Sequence, residues 1–379
     1  CDEAGLPVTN RYDLLDLPQG PFERVAARMP PMRNIPGADV LTSSNPGGGV
    51  EVTPYAWSLL EFCQKNMLPF LFALDPGSPV LQYVTEDVTQ RLERYTRGQD
   101  GPHIRLPAKD LPEVHDPLLA RASVDGLEAD GGVRVETLGQ LADYLDEVLV
   151  DGPWQGRHSL GSTQAFMRRF RGALKHVQHL IRGDLPPDEF KRAALDPLNS
   201  SDMVHVIDIH DFHTVGQAFV VGVVLRDVFD SREAASRTQG RVYLLVDELN
   251  KYSPSEGDSP IKDTLLDIAE RGRSLGVILI GAQQTASEGE RRVVSNAAIR
   301  VGGRLDMAEA MRPEYRYLPS TMVDRAGILS PGSMIVHQPD LPTPLLVTFP
   351  FPAWATRARE VEEDPLVETA DFDDLLGLE

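Results

Sequence analysis

Val242-Tyr243-Leu244-Leu245-Val246-Asp247-Glu248 is the stretch on which the fold turns. Five apolar residues run without polar alternation and then stop at two carboxylates. A run this short reads as a strand, and one that is apolar throughout reads as a strand of a parallel sheet, where helices cover both faces. The acidic pair then falls at the strand's C-terminal end, the edge at which open α/β sheets bind their ligands. Taken alone, the same string also describes a strand running into a solvated acidic turn. Its neighbours decide between the two.

Downstream, an amphipathic pattern predicts a helix from Pro260 to Ser274. The stretch Arg271-Gly272-Arg273-Ser274-Leu275-Gly276 leads from its end into the apolar run Val277-Ile278-Leu279-Ile280, and that run ends in Gly281-Ala282-Gln283-Gln284-Thr285. Upstream, the β-branched run Val204-His205-Val206-Ile207-Asp208 precedes a long apolar helix predicted over Ala218 to Phe229. Further strands are expected at Ile299–Val301, Met334–Val336 and Leu345–Phe349. Apolar strands alternating with helices give an α/β core with a mostly parallel sheet, covered on both faces.

The ordered set of acidic pair, helix, arginine, strand and glutamine has a chemical reading. Asp247 is placed to hold a magnesium ion through its water shell, and Glu248 to orient and deprotonate an attacking water. An amide at the tip of the next strand, Gln283, can sense a γ-phosphate or that water. Arg273, just before its strand, can sit on a subunit surface and neutralise charge on a neighbour's phosphates.

The rest of the chain is organised around this core. Residues 1–50 read as irregular, punctuated by Pro30-Pro31, Asn45-Pro46 and Gly47-Gly48-Gly49. A helical block is expected over 51–200, with a charged helix over Asp87 to Arg97 and helices over Thr137 to Val150 and Thr163 to Arg182. In the last of these, Phe166, Phe170, Leu174, Val177 and Ile181 recur at helical spacing. A core region spans 201–352, and residues 353–379 form an acidic tail. That tail holds nine carboxylates from Glu360 onward and no Lys or Arg; with those nine removed from the chain's −20, residues 1–359 carry −11. So acidic a surface argues against nonspecific binding of nucleic acid over the whole molecule, although a ring can be acidic outside and basic within. The longest apolar stretch, Val215 to Leu225, is shorter than the roughly 20 residues a bilayer span needs. Cys1 and Cys63 lie in no metal-binding pattern, and two cysteines make no disulfide framework, as expected of a reduced, cytoplasmic protein.

The quoted stretches LLVDELNKYSP, RGRSLGVILIGAQQT, VVSNAAIRVGGRLD and ILSPGSMIV resemble the C-terminal half of the motor domain in the FtsK–HerA superfamily, nearest to HerA-type helicases. The resemblance covers residues 203–350, with weaker similarity at PFERVAARMPP and in the helical region around FMRRF. It implies a RecA-like core with an inserted helical subdomain. Asp247 and Glu248 match the Walker B pair, Gln283 the strand-end glutamine and Arg273 the trans-acting arginine. Asn296 and Arg300 match the pair that follows the sensor strand, and Arg271 is the neighbouring nucleotide-contacting candidate. ATP and Mg2+ are the implied cofactors. Double-stranded DNA, a homo-hexamer and a NurA-type nuclease or other effector are the implied partners, in DNA end resection and repair, with no membrane partner. A conjugation or secretion motor is the alternative within the superfamily, and a ring scaffold that does not hydrolyse ATP is the alternative outside it. One departure stands out: no G-x-x-x-x-G-K-[ST] occurs in these residues. The expectation is therefore of a piece of a longer motor, inactive by itself, that begins after the first βα unit.

Two further groups of residues invite a site. His205, Asp208, His210, Asp211 and His213 are spaced closely enough to suggest zinc, but on a strand His205 and Asp208 point to opposite faces. Asp208 near a nucleotide cleft is the better functional reading. Arg168, Arg169, Arg171, Lys175 and Arg182 make the helix at 163–182 basic. A solvated face and a surface lining a channel or meeting a partner are both open from the sequence.

Overall fold

The computed structural model describes residues 24–32, 52–75, 77–111, 132–196, 198, 204–235 and 240–349. The acidic tail at 353–379 and most of the 1–50 stretch lie outside the described residues. The chain divides into two compact units, one spanning Phe22–Ala297 and the other Cys1–Pro21 with Ala298–Glu379.

In the Phe22–Ala297 unit, strands β1 (Val25–Met29) and β2 (Val52–Pro54) are followed by helices α1 (Leu59–Gln64) and α2 (Pro79–Thr96). A hairpin, β3 (Ile104–Pro107) with β4 (Gly132–Val135), leads to α3 (Leu138–Leu149), α4 (Leu160–Val177) and α5 (Pro187–Ala193). Then the α/β part begins: β5 (Val204–Ile207), α6 (Thr214–Ala234), β6 (Val242–Val246), α7 (Leu249–Tyr252), α8 (Pro260–Leu275), β7 (Val277–Gly281) and α9 (Arg291–Asn296). β1 pairs in parallel with both β2 and β5, and β6 pairs in parallel with β7. This is the α/β class with parallel pairing expected from the strand–helix alternation. The stretch read as irregular nonetheless supplies β1, the middle strand of a three-stranded sheet, and the block read as all-helical also carries β2 and the β3–β4 hairpin.

Local sequence explains where the helices start and stop. Ser259 caps α8 by accepting from the Lys262 N–H, Pro260 occupies its first position, and Gly276 ends it at φ +69°. Thr137 and Gln140 form a capping box on α3. In α4 the expected stripe is buried: Phe166, Phe170, Leu174 and Val177 all face the core, and Ile181 beyond the helix end bridges to Trp57. α6 packs against α8 and against the 3-10 turn Leu68–Phe72. Gly222 makes that approach possible, because a Cβ there would run into the Phe70 ring and come within 3.0 Å of Ile261. Trp57 and Phe62 meet Phe219 of α6, the Trp57 ring edge-on at 5.7 Å.

Among the described residues the strands are not covered equally on both faces. Val242, Leu244, Val246 and Leu279 pack against the core, yet Tyr243, Leu245, Val206 and Ile280 are exposed, Leu245 by 75%. Helices α6 and α8 serve one face, and period-two alternation leaves the other to solvent.

The second unit differs more. β8 (Arg300–Gly302), α10 (Met307–Ala310), α11 (Ser320–Ala326), β9 (Ser333–His337) and β10 (Leu345–Thr348) form an antiparallel sheet in the order β10-β9-β8. These strands were expected to continue a mostly parallel sheet. Between β9 and β10 the link is a short loop, far below the dozen or so residues that a parallel crossover requires.

Candidate functional site

The site is built on the aligned ends of β6 and β7. Their register pairs Val242 with Val277 and Val246 with Gly281. The ladder carries on past both strands, with the Ala282 N–H donating to the Val246 carbonyl (3.0 Å) and the Leu249 N–H to the Ala282 carbonyl (2.9 Å). Gly281 is needed here, because a Cβ would collide with the buried Leu249 side chain. Asp247 and Glu248 are thus locked into the chain reversal between β6 and α7.

Glu248 takes that reversal in the left-handed region, φ +51° and ψ +46°. For a residue with a Cβ this costs about 1–2 kcal/mol, and such strain concentrates at functional positions. The Glu248 N–H donates to Asp247 Oδ1 at 2.9 Å, which fixes the aspartate and leaves Oδ2 without a partner among the described residues. Both carboxylates are exposed. Beside them Tyr252 is buried, and burial first, then the charges of Glu248 and Asp247, push its phenol above its ordinary value. At neutral pH it therefore stays a hydrogen-bond donor.

Gln283, two residues beyond β7, comes to the same end of the sheet. Its side chain turns toward Gly289, where a Cβ would sit 2.8 Å from Oε1. That oxygen is buried and has no hydrogen-bond partner among the described residues. An amide oxygen left so costs about 1–3 kcal/mol, which favours any rearrangement that supplies a donor. The loops after β6 and β7 are stitched together around it: Asn250 Nδ2 donates to Glu288 Oε2 (3.1 Å), the Ser255 N–H to the Glu288 carbonyl (2.8 Å) and the Glu290 N–H to the Ser253 carbonyl (2.7 Å). Lys262 of α8 meets Glu290 at 2.7 Å, both side chains nearly enclosed, and this bond leads the causes that draw the Glu290 carboxyl below its ordinary value.

The remaining residues expected at a site are placed as follows. Arg273 is at the end of α8, before β7 begins, so the length of the strand, roughly 16 Å, separates it from the carboxylates. It is exposed and has no ion pair among the described residues. Arg271 is engaged by Glu233 (2.6 Å), Asp267 (3.5 Å) and the Phe229 ring (4.9 Å). Asn296 is the exposed last residue of α9. Arg300 belongs to the other unit, on β8, with its guanidinium 5.2 Å from the Tyr317 ring centre.

The tempting clusters dissolve. Among the described residues no group of three or more His, Cys, Asp and Glu could hold a metal. His213 caps α6, and Asp208 is used in its loop, its Oδ1 accepting from the His210 N–H at 2.8 Å and its carbonyl from the Tyr55 hydroxyl at 2.9 Å. Of the basic residues on and after α4, Arg171 pairs with Asp143 and Asp146, Arg169 with Asp75 and Arg182 with Asp184. Among the described residues Arg168 and Lys175 of this helix have no ion pair, so its basic face is largely neutralised by the chain itself. No helix among the described residues is long and apolar enough to cross a membrane.

Missed in the sequence were Lys251, Gln217, Gly289 and the Lys262–Glu290 pair. Lys251 stands three residues after Glu248, in the LNKY segment, which was the one available signal.

As for the site's chemistry, a lone exposed carboxylate oxygen on Asp247 suits a magnesium ion that takes its other ligands from water and phosphate oxygens. Nothing among the described residues forms a glycine-rich cradle for a triphosphate. No protein-family model matches the chain, and no curated protein matches it. Among solved structures it is similar to the bacterial conjugative coupling protein TrwBdeltaN70, at 12% identity over 91% of this chain and 78% of that one, with a TM-score of 0.48. It is also similar to VirB4 of Thermoanaerobacter pseudethanolicus, at 15% identity over 89% and 83% with a TM-score of 0.44. The genome packaging NTPase B204 from Sulfolobus turreted icosahedral virus 2 is similar over 40% of this chain and 69% of its own, at 14% identity and a TM-score of 0.31.

Proposed function

We propose that this chain carries the water-activating half of an ATP-hydrolysing site in a ring-forming DNA translocase of the HerA kind. The observation that carries the reading is the convergence of Asp247, Glu248 and Gln283 at the aligned C-terminal ends of two parallel strands, with Glu248 held in a strained backbone conformation. Bound Mg-ATP supplies the scissile phosphoanhydride and the charge-neutralising metal. Asp247 would hold a magnesium ion, which would neutralise phosphate charge there, and Glu248 would accept the proton of the attacking water. Gln283, turned out of its inward position, donates its amide N–H to that water or the γ-phosphate. No G-x-x-x-x-G-K-[ST] loop to cradle the phosphates occurs in residues 1–379.

Arg273 fits the same scheme as a residue that acts on a neighbour. It lies at the opposite end of β7 from its own carboxylates and is unpaired, so its contribution comes at a subunit interface, as expected of a homo-hexamer with double-stranded DNA in its channel. A NurA-type nuclease working on DNA ends is the partner this reading favours. The test uses full-length protein. Arg273→Ala and Glu248→Gln should each lose DNA-stimulated ATP hydrolysis, and mixing the two should restore part of it, because mixed rings contain interfaces with both residues intact. No recovery in rings shown by native mass spectrometry to be mixed would refute the trans role.

A further inference from the structure

We infer that Lys251 is a positioning residue for Glu248 and that, through Gln217, it ties this carboxylate to the loop that follows β5. The inference rests on the reading of Glu248 as the water-activating base. Lys251 Nζ donates to Gln217 Oε1 at 2.6 Å and lies 3.8 Å from Glu248 Oε2. Gln217, on the first turn of α6, passes the connection on: its Nε2 donates to the carbonyls of Ile209 (3.2 Å) and His210 (3.4 Å). Four segments are joined in one line, from the end of β6 through α7 and α6 to the loop that carries Asp208.

The asymmetry of the contact gives it a direction. The ammonium is held by groups other than Glu248, namely the Gln217 oxygen and the Tyr252 ring, whose centre is 5.8 Å away. The glutamate side chain, in contrast, is 63% exposed and has no other ion pair. A fixed cation beside a mobile carboxylate narrows the range of positions the carboxylate takes. At 3.8 Å the attraction is Coulombic rather than a tight hydrogen bond, so the carboxylate oxygens remain available to water. The αL backbone of Glu248 restricts the root of the side chain, and Lys251 restricts its tip.

The test has one arm that needs no nucleotide. The chain has six lysines, so 13C-dimethylation gives few signals in an NMR spectrum, and Lys251→Arg identifies the one from Lys251. Glu248→Gln and Gln217→Leu should each shift that signal, and absence of a shift in both overturns the inference. In the second arm, carried out on full-length protein, Lys251→Met should lower kcat for ATP by roughly ten- to hundredfold, the range expected when a reacting group is misplaced by about an ångström, while KM stays within about twofold. Lys251→Arg should recover most of the loss. An unchanged kcat in Lys251→Met, or a change confined to KM, overturns the positioning role. The expected shifts in the first arm together with no ATP hydrolysis by full-length wild-type protein would instead overturn the assignment of the site.

Discussion

Replacing Lys262 by Met probes how the loop carrying Gln283 is held. Met keeps most of the side chain's length and apolar volume but removes the ammonium, which pairs with Glu290 at 2.7 Å and donates to the Gly257 carbonyl at 2.8 Å. The side chains of Lys262 and Glu290 are only 8% and 13% exposed, so little water can take over. Breaking a buried pair by removing one partner costs about 3–5 kcal/mol, since the other charge is left stranded. Here Glu290 keeps the Arg292 N–H at 3.2 Å and the Arg292 guanidinium at 3.8 Å, which places the loss near the lower end, about 3 kcal/mol. In a domain of this size that lowers Tm by roughly 6–12 °C, measurable by calorimetry. Lys262→Met/Glu290→Gln should recover much of the loss, because no unpaired charge remains. The sign of the pH dependence follows from Glu290, whose carboxyl lies below its ordinary 4.5 in the folded chain. Its stabilisation is fully present above that value and is lost as pH falls through the lower, folded-state value. The difference in stability between wild type and Lys262→Met should therefore shrink in acid. A Tm loss under about 2 °C at pH 7, or a double variant no more stable than the single ones, would refute the reasoning.

Glu248→Gly removes the carboxylate while relieving a left-handed backbone, so hydrolysis should collapse with Tm unchanged or raised; a fall of several degrees would show that the strain is not where we place it. Gly289→Ala puts a methyl group 2.8 Å from Gln283 Oε1, which should expel the amide from its pocket and change ATP turnover without a large loss of fold; a crystal structure with Gln283 unmoved would contradict this. Leu245→Thr, on the open face of β6, should cost less than about 0.5 kcal/mol in urea denaturation, whereas Leu265→Ala in the core should cost about 2–5.

Much of the fold was legible because the signals were local. The run Val242–Val246, the helix read over Pro260 to Ser274 and the stripe on α4 all rest on a single element's own sequence. Pairing was harder to read. Val25–Met29 carries Ala26, Ala27 and Arg28 and looks like no strand until β2 and β5 flank it, and the antiparallel turn of β9–β10 depends on loop length more than on composition. At the candidate site, motif spacing singled out Asp247, Glu248 and Gln283, which the fold places at one sheet end. Lys251 and Gln217 are 34 residues apart, and the Gln283–Gly289 contact depends on a loop's exact path. No pattern of residue types announces either. The basic helix stayed open from the sequence for the same reason, since Asp75, Asp143 and Asp146 reach it from other segments.

The central claim is that Glu248 activates the water that attacks ATP. Glu248→Gln in the full-length protein keeps the size and hydrogen-bonding shape of the side chain but cannot take the proton. ATP binding, followed by calorimetric titration with Mg2+ present, should be retained, while steady-state hydrolysis falls by roughly two to four orders of magnitude. Hydrolysis at the wild-type rate by a variant that binds ATP normally would contradict the account.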